Sequence, residues 1–230
     1  GRTGLSEARD RARQMSESLA VGALLAFSGG LMDAYTYVFR GGVFANAQTG
    51  NIILMGIHAL EGSFFQAARY LVPILSFVLG VFLAQCLRQS VKKHPHFHWR
   101  QACLAAEMAV MVAVGFMGQP LNLVANSLVS LACGIQVHSF RKVRGNDIAT
   151  TMCIGNLRTA TEHLARAVTG RDREALRLSG FYFGMILVFA LGATAGNLLV
   201  LPLQRRAIWA CVPILLAAFL LMLADGDEQP

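Results

Sequence analysis

Long apolar stretches alternate along the chain with short clusters of charge. Six of these stretches approach the roughly 20 mostly apolar residues that a helix needs to cross a hydrocarbon core: residues 19–39, 69–87, 101–118, 121–140, 178–200 and 207–224. Each predicts a membrane-spanning helix. Two further stretches, 46–60 and 149–165, are more polar. The first opens with Asn46, Gln48, Thr49 and Asn51, and the second holds Thr150, Thr151, Asn156, Arg158, Thr159 and Glu162. Such side chains are expensive against lipid. Irregular backbone at membrane depth survives only where protein or water covers it, so both are expected to be re-entrant or broken helices.

Composition supports this picture. Of 230 residues, 55% are hydrophobic and 14% are charged, against roughly 25% charged in a soluble domain. The net charge of +7 does not indicate nucleic acid, because Lys and Arg fall between apolar stretches and form no aromatic-interleaved basic face. They are read instead as sidedness signals, cytoplasmic loops carrying the excess of basic residues. With Arg158 left aside, eight full spans leave nine basic residues inside and ten outside, which is no bias. Six spans place fifteen inside and leave four outside: Arg40, Arg69, Arg205 and Arg206. The expectation is therefore an all-α polytopic membrane protein with six spans, two re-entrant or broken helices and both termini cytoplasmic. No cleavage site follows the first apolar run, which is expected to stay as an anchor. The five cysteines lie in apolar segments without a CxxC and are read as packing residues.

The two polar segments sit in matching surroundings. Gly29-Gly30-Leu31 parallels Cys133-Gly134-Ile135, Arg40-Gly41-Gly42 parallels Val143-Arg144-Gly145, and Thr49-Gly50-Asn51-Ile52 parallels Ile154-Gly155-Asn156-Leu157, at offsets of 104, 103 and 105. Phe77-Val78-Leu79-Gly80 parallels Phe189-Ala190-Leu191-Gly192 more loosely. A basic tail (1–18) is thus followed by a first membrane repeat (19–118), a second (119–224) and a short tail (225–230). Three spans per half is an odd number, so the halves have opposite orientation. This inverted 3+3 plan is common among secondary transporters.

The candidate site follows from the breaks. Gly permits unwound or closely approached backbone, and Thr and Asn can cap the half-helix that follows. A half-helix N-terminus presents free N–H groups and partial positive charge to an anionic or dipolar solute. Asp33 lies within the first span, followed by Tyr37; Gln136 and His138 occupy the matching stretch of the second half. An intramembrane carboxylate is a functional candidate by default, and Asp33 is the expected proton-coupling residue. The expected solute contacts are Asp33, Tyr37, Asn46, Gln48, Thr49, Asn51, Gln136, His138, Thr150, Thr151 and Asn156. Glu107, seven residues from Arg100, is read as hydrated near the cytoplasmic boundary. His94, His96 and His98 are read as part of a basic loop; no metal site is expected. No cofactor is expected either, since nothing resembles GxSxG, HExxH, a Walker loop or a dinucleotide fingerprint.

The run from Gly29 to Tyr37, followed by Gly41-Gly42-Val43-Phe44-Ala45-Asn46-Ala47-Gln48-Thr49-Gly50-Asn51, closely resembles the signature of the YoaK family of bacterial membrane proteins. Gly134-Ile135-Gln136, Arg141 to Gly145, and Thr150 to Leu157 are similar to that family's second-half pattern. The sequence departs at Ile154, where the pattern has Thr, and at His138-Ser139, where small apolar residues are usual. The resemblance implies an inner-membrane protein of about six spans and unassigned function, suspected of transporting small molecules. The leading expectation is a secondary transporter for a small polar or anionic solute bound between the two breaks. A channel, an intramembrane enzyme using Asp33 with His138, and a non-transporting scaffold are the alternatives. The expected partners are the lipid bilayer and the solute, with a homodimer compatible with six short spans.

Overall fold

The computed structural model describes residues 19–91, 98–143, 146–147 and 150–224. The N-terminal tail, most of the histidine-rich loop, Arg144, Gly145 and the C-terminal tail lie outside the described residues. Eight α-helices account for almost all of what is described: α1 (Leu19–Phe39), α2 (Gln48–Leu60), α3 (Phe64–Val91), α4 (Trp99–Phe116), α5 (Asn122–Ser139), α6 (Cys153–Gly170), α7 (Arg173–Leu203) and α8 (Cys211–Ala224). A two-residue antiparallel ladder, β1 (Lys142–Val143) with β2 (Asn146–Asp147), interrupts the leg between α5 and α6. Five stretches are long and apolar enough to cross a membrane: Leu19–Phe39, Phe64–Ser90, Trp99–Phe116, Gln119–Ser139 and Arg173–Leu223. The chain is a membrane protein of several apolar helices.

The last of those five stretches is 51 residues long, about 76 Å if it were straight, far more than the ~30 Å hydrocarbon core. It is not straight. Gln204 adopts a left-handed φ of 48° just after Pro202, and a 3-10 stretch, Gln204–Ala210, follows. Contacts with α1 give the directions on either side. Phe27 meets Gly192 and Leu31 meets Gly196, so α7 runs parallel to α1. Tyr35 reaches Arg205 and Ser28 reaches Cys211, so α8 runs antiparallel to it. The expected segments 178–200 and 207–224 are thus two opposed legs of one helical run.

The core lies between α1, α4, α5 and α8. Val21, Leu25, Leu31 and Met32 pack there with Leu104, Met111, Val114, Val129, Leu215 and Ala218. Helices α2, α3, α6 and α7 lie outside. Of α2 only Asn51 is buried, and of α6 only Asn156 and Ala160. Helix α3 exposes Leu75, Val78, Leu79 and Phe82, the side chains a lipid-facing helix requires. Lipid supplies no hydrophobic drive between helices, so small residues that let backbones approach hold such bundles together. A Cβ at Gly30 would collide with the backbone of Phe189 and Ala193, and one at Gly134 with the backbone of Phe77. These contacts mark the α1–α7 and α3–α5 crossings, where backbone lies against backbone.

Candidate functional site

After α1, the chain turns back along itself. Gly41 and Gly42 take φ of 87° and 77°, a region open to Gly without steric cost, and residues 43–47 descend as a non-helical leg, bent at Ala45 and Asn46, beside α1. Asp33 holds that leg: its Oδ1 accepts from the backbone N–H of Ala45 (2.8 Å) and of Asn46 (2.7 Å). Asn51 ties the leg to the helix that follows, its Oδ1 accepting from Phe44 N (2.9 Å) and its Nδ2 donating to Phe44 O (2.8 Å) and to Gln48 Oε1 (3.0 Å). Gln48 Nε2 donates to Ala45 O (2.8 Å). Helix α2 then climbs back, and Arg69, near the start of α3, donates to Gly41 O (3.0 Å). The first polar segment is therefore a non-helical leg and a 13-residue helix, with Gly41 before the leg and Arg69 after the helix held together at one end of the bundle.

The second polar segment approaches from the other end. Helix α5 finishes at Ser139, beside Arg100, Arg88 and Arg141. The described leg then brings Thr150 and Thr151, both buried, to the middle of α1. The Thr151 methyl lies so close to Gly29 that a Cβ there would collide with it. Asn46 donates to the Gly29 carbonyl (3.3 Å) and lies near the Cys133 thiol. Asp33 is within electrostatic reach of Cys153, the first residue of α6. Thus the beginnings of α2 and α6, arriving from opposite ends, converge on Gly29, Asp33 and Cys133.

The expected caps are absent. The N-cap residues are Ala47 and Met152, and neither makes a side-chain cap bond. Asn51 and Gln48 bond back to the leg instead, because a non-helical leg packed against the helix start offers its own carbonyls and N–H groups. Among the expected contacts, Asp33, Asn46, Gln48, Asn51, Thr150 and Thr151 gather at the breaks, while Asn156 is buried on α6 against the bundle. Thr49 is exposed, and Tyr37 is exposed and stacked on Phe44 at 4.6 Å. Gln136 is buried but donates to Leu25 O (3.4 Å), two turns of α1 before Asp33. His138 lies at the end of α5 facing Arg141 and Arg88, so it does not meet Asp33.

Three features escape sequence reasoning. Arg40 is fully buried, and its guanidinium donates to Tyr35 Oη (2.7 and 3.0 Å), Asn122 Oδ1 (3.1 Å) and the carbonyls of Val114 (2.9 Å), Met117 (2.9 Å) and Gly118 (3.1 Å). Its place among the outer basic residues gave no hint of burial. Glu107 is 1% exposed, not hydrated, because its helix face turns into the core between α5 and α8 and away from the charged end. His58 stacks on Tyr70 (5.6 Å) and His163 on Tyr182 (6.0 Å). The two histidines are 105 residues apart, as are Asn51 and Asn156, so this offset was the available signal.

The family model described as Protein of unknown function (DUF1275) matches residues 21–221. The chain belongs to this family. Across it, the chain is also similar to the UPF0700 transmembrane protein YoaK of Bacillus subtilis (strain 168), at 24% identity over 212 residues, covering 88% of this chain and 92% of the relative. No solved structure matches the chain. The DUF1275 match begins two residues into α1 and ends in α8, so both broken segments and every residue converging on Gly29 lie within the family's shared region.

Proposed function

We propose that the chain is a small secondary transporter of the bacterial inner membrane. It crosses six times, with both termini cytoplasmic, and binds a small polar or anionic solute where the two broken segments meet. The observation that carries this reading is the convergence of two half-helices from opposite ends on Gly29, Asp33 and Cys133. An inverted 3+3 repeat is supported by paired contacts. The α1–α7 crossing at Gly30 and Phe189 has its counterpart in the α5–α3 crossing at Gly134 and Phe77. The His58–Tyr70 stack likewise has its counterpart in His163–Tyr182. In this arrangement the first break already has an internal anion, Asp33, on its backbone N–H groups, and the solute lies toward Asn46, Thr151 and the start of α6. Rocking one half against the other around Gly29 would expose that place to either side in turn.

A metabolite panel screened by thermal shift on the purified protein tests the reading. A ligand at a hundred times its Kd stabilises by about 2.7 kcal/mol, and the same compound should be taken up by proteoliposomes. Asn46→Ala and Thr151→Val should weaken both signals. No stabilising compound and no uptake would leave a second reading, a non-transporting scaffold, which the close seating of Thr151 on Gly29 favours. A homodimer belongs to the proposal because α6 exposes an Arg158–Glu162 pair (2.8 Å) on its outer face, costly against lipid. One chain per particle in nanodiscs would remove that part.

A further inference from the structure

The interior between α1, α4, α5 and α8 holds polar atoms without a hydrogen-bond partner among the described residues. Both carboxylate oxygens of Glu107 are buried without a hydrogen-bond partner, as are Asn126 Oδ1, Ser130 Oγ and Gln136 Oε1 on α5. Asn126, Ser130, Cys133 and Gln136 follow one another at spacings of four, three and three, which places them on one face of α5. The opposite face carries Leu131, Gly134 and Ile135 against α3. Asn126 donates to Arg40 O and Gln136 to Leu25 O, so the polar face turns toward α1 along its length. From Asn126 to Gln136 the rise is about 15 Å, roughly half the hydrocarbon thickness.

Among the described residues Glu107 forms no ion pair. Its electrostatic neighbours are thiols, Cys103 on its own helix, Cys133 on α5 and Cys211 on α8. Asp33, on α1, interacts with the same Cys133 thiol. Arg100 is two turns earlier on α4 and donates to Ser139 O, and the guanidinium bonds of Arg40 go to Tyr35, Asn122 and carbonyls of the α4 end. An ionised carboxylate left there would cost several kcal/mol. Buried unpaired polar atoms in a row are also where bridging waters are held.

We propose that Glu107 is a proton-binding site inside the membrane. It carries its proton in this closed arrangement and releases it to water that enters along the Asn126–Ser130–Gln136 face when the bundle opens. The proton passes from the carboxyl group to that water, and the carboxylate is reprotonated from the other side. The coupling role expected of Asp33 moves to Glu107, because the Asp33 carboxylate is already committed to the backbone of the first break. The use of the proton rests on the transport reading; its presence does not.

Infrared spectroscopy of the protein in lipid nanodiscs at neutral pH reads the protonation without any solute, so it can fail independently of a transport assay. The wild type should show a carboxylic-acid C=O band that is lost in Glu107→Gln and kept in Asp33→Asn. Should Glu107→Gln not fold, wild-type protein with carbon-13 in glutamate carries the test: the band should shift with labelled glutamate and stay with labelled aspartate. A wild type without the band, a band that survives Glu107→Gln, or one that moves with aspartate overturns the proposal.

Discussion

Arg40 and Asp33 stand out at the scale of single residues, and both act on backbone more than on other charges. Arg40 uses the planar fork of its guanidinium to reach three carbonyls at the end of α4 together with Tyr35 and Asn122. A lysine keeps the charge but cannot reproduce that geometry. Arg40→Lys should leave at least two buried acceptors unpaired, at about 1–3 kcal/mol each, and thermal unfolding in detergent should show a loss of about 3 kcal/mol. Asp33 gives a sharper contrast. Asp33→Asn keeps an acceptor oxygen for Ala45 N and Asn46 N and should cost about 1 kcal/mol, whereas Asp33→Ala frees both N–H groups and should cost about 2–4 kcal/mol. Equal losses for the two variants would show that the bonds to the leg are not what Asp33 contributes. Asp33 was legible as exceptional because its neighbours are apolar. Its partners were not, since backbone amides twelve and thirteen residues on leave no mark in a side-chain pattern.

At the scale of elements, close approach and stacking fix the helices in pairs. The Gly30 and Gly134 crossings bring backbone against backbone, and neither partner can give way as a side-chain tip could. Gly30→Val and Gly134→Val should each force two helices apart and cost about 3 kcal/mol or more, read as lower melting temperatures in detergent. Gly155 lies within α6 with open space around it. Gly155→Ala should therefore gain about 0.5–1 kcal/mol from reduced backbone freedom, and a loss there would mean that α6 is not a simple helix at that point. Both crossings were readable as small residues at recurring positions. What the sequence hid was the split within each polar segment. Asn46 and Thr150 sit on the bent, non-helical legs, while Asn51 and Asn156 lie inside the helices, because the boundary is set by packing against α1 and not by a capping side chain.

At the scale of the whole molecule, the charge pattern and the described geometry agree on the two ends. Arg40, Arg69 and Arg205 share one end through Tyr35 and Gly41, and Arg88, Arg100 and Arg141 share the other through Ser139 and His138. The all-helical class and the apolar stretches were readable because length and hydropathy alone fix them. The reversal at Gln204 was readable only as a dip in hydropathy, since the turn rests on one left-handed residue. Accessibility labelling tests the proposed sidedness. In a background with Cys86 and Cys153 replaced, single cysteines at Ser90 and Arg206, both exposed, should react with an impermeant maleimide from opposite faces of oriented vesicles. Leu60, 92% exposed between α2 and α3, decides the re-entrant segment. If the first polar segment enters and leaves on one side, Leu60→Cys reacts from the face opposite that of Leu19→Cys, at the exposed start of α1; if α2 crosses completely, the two react from the same face. By the same logic Gly170→Cys should share the face of Ser90→Cys; labelling from the face opposite Ser90→Cys, with Arg206→Cys then on the Ser90 face, would make α6 a full span.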